Sequence, residues 1–111
     1  MYERAANIIF EAVTGFDWDD GNLEKCQRHG ATIAEIERLL SSDPAVAPDL
    51  KHSAEEHQFI AVGRNAAGRP LFVAFTLRTK EGRRLLRAVS ARYMHEKEAE
   101  RYAATSAKAE D

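Results

Sequence analysis

The sequence predicts an α+β fold: two short N-terminal helices, an antiparallel β-sheet of three to four strands, and a C-terminal helix. Three observations predict it. Apolar residues recur at helical spacing in "TIAEIERLL" (32–40), where Ile33, Ile36, Leu39 and Leu40 share a face. The period then changes in "HQFIAVGRN" (57–65), "RPLFVAFTL" (69–77) and "RRLLRAVSARY" (83–93), which are rich in β-branched and aromatic residues and separated by the turn-like "NAAGR" and "RTKEGR". From His95, "HEKEAERYAATSAKAE" is charged and helix-prone.

Each element has its own signals. Asp19 or Asp20 can cap a first helix running to about Arg28, with Gly30 ending it. Thr32 and Glu35 stand at capping-box spacing and open the second helix. "SSDPAVAPDLKHSAEE" (41–56) is a loop punctuated by Pro44 and Pro48, with room for one short strand near Val46. The three following runs form a meander whose middle strand is expected to be the most buried. Phe16 and Trp18 are assigned to the core, and beyond Tyr102 too little apolar surface remains to hold a helix down. No internal repeat or linker divides the chain.

A chain of 111 residues fits one domain, large enough to bury a core without a disulfide or metal staple. Its apolar share of 44% beside 31% charged residues is ordinary for a soluble globule. Cys26 is the single cysteine, and no Cys/His cluster has zinc spacing, so neither a metal nor another cofactor is expected and a reducing, cytoplasmic setting is. No run of 18 apolar residues occurs, and "AANIIFEAV" is too short for a span, so no membrane association is expected. The net charge of −2 conceals an asymmetry. Between positions 64 and 92 eight basic residues face the single acid Glu81, a net of +7, which leaves −9 for the remainder. A basic segment in an acidic chain is a local field suited to phosphate.

"FDWDDGNLEKCQRHGATIAEIERLL", "HSAEEHQFIAVGRNAAGRPLFVAFTLR" and "RAVSARYMHEKEAERY" carry a resemblance to a known family. Three ordered blocks support it: Trp18-Asp19 leading to Lys25 and His29-Gly30; Gly63-Arg64 with Gly68-Arg69; and Ser90-Ala91-Arg92 with Glu98 and Tyr102. Over about residues 15–102 the chain resembles the BrnT toxins of type II toxin-antitoxin systems. The resemblance implies a RelE-like ribonuclease that arrests growth and is held inactive by a BrnA-like antitoxin. That partner would mediate both oligomerisation and contact with operator DNA, so that the pair represses its own operon. Met1 to Thr14 has no counterpart in the family core and is read as an added segment, with 103–111 as a frayed tail. Cys26 stands where the family has Asn, "KCQRH" is one residue shorter than the family form and has Arg28 for Lys, and His57 replaces a basic residue.

Metal-independent RNA cleavage needs a proton acceptor, a proton donor and cations for the charge that develops when a 2′-OH attacks its neighbouring phosphate. A single well-placed donor contributes about 10²–10³ in rate, so arginines matter most. Arg92 is the first choice, because it shares a strand face with Ser90 at the end of the last strand and its planar fork suits phosphate. The competing reading pairs it with an acid of the C-terminal helix. Arg64 is favoured by the family pattern; Arg78 ends the next strand at the opposite edge and is assigned to RNA binding. Histidine is the side chain whose ordinary chemistry best suits proton transfer near neutral pH, so His29 completes the catalytic set, unless it merely caps the preceding helix. Lys25, four residues before it, Arg28, Arg87 and Tyr93 are the further RNA-binding candidates, although Tyr93 alternates away from Arg92 and reads first as core. His52, His57 and His95 are read as surface residues and Cys26 as structural. A catalytically inactive binding partner or corepressor of the same fold is the alternative function; a metal-dependent hydrolase lacks a motif.

Overall fold

The computed structural model describes residues 13–42, 44–49 and 57–102. The expectations for 1–12, His52 and the tail 103–111 lie outside the described residues. In chain order the elements are β1 (Val13–Phe16), α1 (Asp20–Gln27), α2 (Ile33–Ser41), β2 (Ala45–Pro48), β3 (Gln58–Arg64), β4 (Pro70–Lys80), β5 (Arg83–Tyr93) and a helix α3, described over residues 96–102. The strands form one mixed five-stranded sheet in the order β1-β5-β4-β3-β2. β2 is the short strand anticipated at Val46.

The sheet is wider than the sequence predicts, and it is not purely antiparallel. β1 adds a parallel edge to β5, pairing Gly15 with Leu85 and Phe16 with Leu86. Four residues containing a glycine give no readable period, and their partners lie about 70 residues away, so this strand left no local signal. It also reaches back to Val13 and Thr14, within the stretch read as an added segment.

Both helices are set by side-chain caps. The Asp19 carboxylate accepts from the amides of Gly21 and Asn22, while Asn22 Oδ1 accepts from Asp19 N at 2.7 Å. The Asn22 amide then donates to the carbonyls of Asp17 and Ala88, both at 2.9 Å, and ties α1 to β5. Thr32 and Glu35 form the predicted capping box of α2.

α1 and α2 cover one face of the sheet. Cys26, Ala31, Ile36, Leu39 and Leu40 meet Val46, Ala61, Leu71, Val73, Phe75, Leu86, Ala88 and Ala91, and Phe16 and Trp18 pack at the margin. β4, the middle meander strand, supplies the fully buried Leu71, Val73 and Phe75; the Phe75 ring stacks on Phe59 at 5.6 Å. On the opposite face a smaller cluster joins Ala47, Val62 and Met94 to Ala99 of α3, with Ile60, Phe72 and Tyr102 against it.

Two irregularities decide where side chains point. The β4–β5 turn has positive φ at both Glu81 (52°) and Gly82 (75°), the backbone of a two-residue hairpin turn matched to strand twist. Farther along, Ala74 pairs with Ser90 but Phe75 with Ala88, so Val89 is an extra residue. Thr76 pairs with Arg87 and Phe72 with Arg92, which places both arginines on one face although they are five residues apart. Strict alternation would have separated them.

Candidate active site

The last residue of β3, the first of β4 and the last of β5 meet at one end of the sheet, where Arg64 pairs with Pro70 and Leu71 with Tyr93. The α1–α2 turn arrives at the same end, because Tyr93 Oη lies 3.4 Å from the Gly30 carbonyl oxygen. Gly30 holds φ +97°, a turn conformation that favours glycine, while a Cβ there would make only an ordinary 3.6 Å contact with the Tyr93 ring. The meander topology thus gathers three separated segments.

On the α3 face, Phe72 has Val62 on one side and Arg92 on the other, with Arg64 two residues farther along β3. Arg92 makes a two-bonded fork with Glu98 at 2.9 and 2.7 Å, and its guanidinium carbon lies 4.5 Å over the Phe72 ring. Arg64 makes a second fork with Glu96, both bonds 3.0 Å, and donates to the Gly68 carbonyl at 2.8 Å. Hydrogen bonds from the arginines hold the Glu96 and Glu98 carboxyls below the usual carboxylate range. The arginine side chains remain 48% and 42% exposed. Beside them an open apolar pocket of about 200 Å³ is lined by Ala45, Val62, Gly63, Arg64, Pro70, Met94, Ala99 and Tyr102.

On the other face the polar centre is Glu35. Its carboxylate accepts from Tyr93 Oη at 2.7 Å, Asn65 Nδ2 at 2.7 Å, and Thr32 N and Oγ1 at 3.0 and 3.2 Å. These donors, Asn65 foremost, pull its pKa down to about 2 against the cost of burial. The same bond, by favouring the protonated phenol, raises that of Tyr93. Asn65 Oδ1 in turn accepts from the amides of Ala67 and Arg69, fixing the β3–β4 turn. Arg69 lies with its guanidinium carbon 3.7 Å over the Tyr93 ring.

Among the sequence-predicted catalytic residues, Arg64 and Arg92 share a face, whereas His29 is exposed in the α1–α2 turn, next in sequence to Gly30. Lys25 is exposed on α1 and Arg28 pairs with Glu24 at 2.9 Å. Arg87 is engaged by Asp19 at 2.9 Å and by buried Asp17 at 3.5 Å, with Lys80 also on Asp17 at 2.9 Å. Arg78 lies toward the far end of β4, opposite Leu85. Tyr93 is half-buried against the core, on the face opposite Arg92. His57 and His95 are exposed. Cys26 is fully buried, and burial pushes its thiol up to about 11, so it remains protonated. Among the described residues no group of three or more His, Cys, Asp or Glu is arranged to hold a metal ion.

Sequence reading missed Glu35 as a hub, Asn65 and Arg69 as members of the site, and Glu96 as a partner of Arg64. In the sequence Glu35 reads as a helix cap, Asn65 as part of a turn, and Arg69 as part of the Gly68-Arg69 block with no role attached. Their common address follows from topology: a meander puts the β3–β4 turn beside the end of β5.

The model of one family, ribonuclease toxin, BrnT, of type II toxin-antitoxin system, matches residues 18–98. The chain belongs to the BrnT family. The match spans the segments that build both faces of this sheet end, from the Trp18 margin of the core to Glu98 on Arg92. A BrnT toxin is a ribonuclease with an antitoxin partner, as type II systems imply. No curated protein matches the chain. No helix among the described residues is long and apolar enough to cross a membrane.

Proposed function

We propose that this BrnT-family chain is a RelE-like, metal-independent endoribonuclease that uses Arg64 and Arg92 as its phosphate clamp. One observation carries the reading: two arginines on one sheet face, on the strands either side of β4, each present a planar fork to a pair of carboxylate oxygens. A phosphate accepts the same two-bonded geometry, so Glu96 and Glu98 stand in for phosphoryl oxygens. With RNA in place, the 2′-OH attacks the adjacent phosphorus, the two guanidiniums stabilise the added negative charge, and the 5′-oxygen leaves. His29, in the turn at the same sheet end, takes the proton from the 2′-OH and returns it to the departing 5′-oxygen. Lys25 and Arg78 extend the contact along the strand, while Arg28 and Arg87 join by exchanging their carboxylate partners.

The antitoxin is BrnA-like, covers this cationic end, links the assembly and alone reads operator DNA, and the pair acts in the cytoplasm. Expression of the chain alone should arrest growth, and co-expression of the antitoxin should restore it. Purified protein incubated with RNA in a chelator should yield 2′,3′-cyclic phosphate ends. A second reading, a non-cleaving binding partner or corepressor, is favoured by the neutralisation of both arginines by α3. Folded protein that binds antitoxin and leaves RNA intact would establish it.

A further inference from the structure

Arg69 differs from the four arginines whose ion pairs have been described. Arg28, Arg64, Arg87 and Arg92 each lie on a carboxylate. Arg69 is exposed, lies on an aromatic ring, and has no carboxylate at ion-pair distance among the described residues. Its position is nevertheless set twice. Its amide donates to Asn65 Oδ1 at 2.8 Å, and the ring beneath it is held by the bond from Tyr93 to Glu35 at 2.7 Å. Asn65 and Tyr93 both donate to Glu35, so one carboxylate fixes the backbone and the platform together. An open cleft of about 300 Å³ nearby is lined by Glu35, Asn65 and Arg64, and the Arg64 guanidinium donates to the Gly68 carbonyl, one residue before Arg69.

We propose that Arg69, stacked on Tyr93, is a nucleotide subsite that takes one unpaired base of single-stranded RNA. This rests on the reading of the protein as an RNA-cleaving enzyme and deepens it by naming a base contact beside the clamp. The base stacks on the guanidinium face turned away from Tyr93, since guanidinium planes and aromatic rings both serve as platforms for splayed bases. The guanidinium edge, unclaimed by a carboxylate, donates to the base edge or to its phosphate. His29, next to Gly30 at the rim of the ring, adds a donor to the same strand. Glu35 is a positioning residue, acting through Tyr93 and Asn65.

The test is fluorescence anisotropy of the full chain with a labelled single-stranded RNA decamer whose 2′-oxygens are methylated to prevent cleavage, and with the same decamer made abasic. R69A should weaken binding of the intact decamer about tenfold, the effect of losing one stacked base. R69K should be nearly as weak, because an ammonium keeps charge but offers no plane. Y93F keeps the ring and should lose less. On the abasic decamer the unsubstituted protein should fall to the affinity of R69A, and R69A should change little. R69K equal to the unsubstituted protein, or an R69A defect of the same size on both decamers, would overturn stacking in favour of a point charge. If R92A weakens binding and R69A does not, the subsite falls and the clamp stands. Binding of neither decamer overturns both readings, and an R69A defect seen only with antitoxin reassigns the surface to protein recognition.

Discussion

On the α3 face Arg64 and Arg92 commit both arms to carboxylates in the first turn of a helix. On the α1–α2 face the cation lies on a ring, and the half-buried Glu35 carboxylate is taken up in hydrogen bonds from Tyr93, Asn65 and Thr32. The first arrangement neutralises its cations and must open before phosphate can enter. The second holds its geometry without consuming its charge. Surface ion pairs contribute little net stability, about 0–1 kcal/mol each, so opening the α3 side is inexpensive. Four hydrogen bonds converging on Glu35 from three segments make the other side the more rigid.

The largest expected effect comes from removing what both faces share. Phe75 is fully buried in the strand that carries the sheet, and F75A should cost about 3–5 kcal/mol, measured by urea unfolding. A loss below 1 kcal/mol would mean that the two faces are held independently of this core. Next, E96Q combined with E98Q should free both forks and raise affinity for single-stranded RNA several-fold at low salt, with a steeper salt dependence because more phosphate contacts form. Unchanged affinity would show that α3 already leaves the clamp in solution.

The smallest effect is a pH dependence specific to the rigid side. The folded-state pKa of Glu35 is about 2, below the ordinary value of 4.5. Its contribution to stability is therefore present above pH 4.5 and is lost as pH falls toward 2. E35Q should lack that part of the acid destabilisation between pH 5 and 2, read as a shallower fall of the urea midpoint. The same slope in both proteins would remove Glu35 as the anchor.

Much of this arrangement was legible in the sequence. The caps at Asp19 and Thr32, the apolar face of α2 and the alternation of β3 to β5 are local signals, and they gave the helices and the meander. Alternation also separated Tyr93 from Arg92. It could not show the bulge at Val89, which returns Arg87 and Arg92 to one face, nor β1, whose pairing is parallel and distant. The site was less legible than the fold. Which acid meets which arginine depends on where α3 docks, and the joining of Glu35, Asn65 and Tyr93 depends on three chain segments arriving at one sheet end.

The most direct test is the initial rate of RNA cleavage in chelator by the unsubstituted protein and by R92A, with thermal unfolding followed in parallel. Arg92 is 42% exposed and contributes little to the core, so R92A should retain its unfolding midpoint within a few degrees. Its cleavage rate should fall by about 10²–10³, the cost of one lost charge-stabilising donor. Equal rates for the two proteins, or parallel loss of rate and fold, would contradict the assignment of Arg92 to the phosphate.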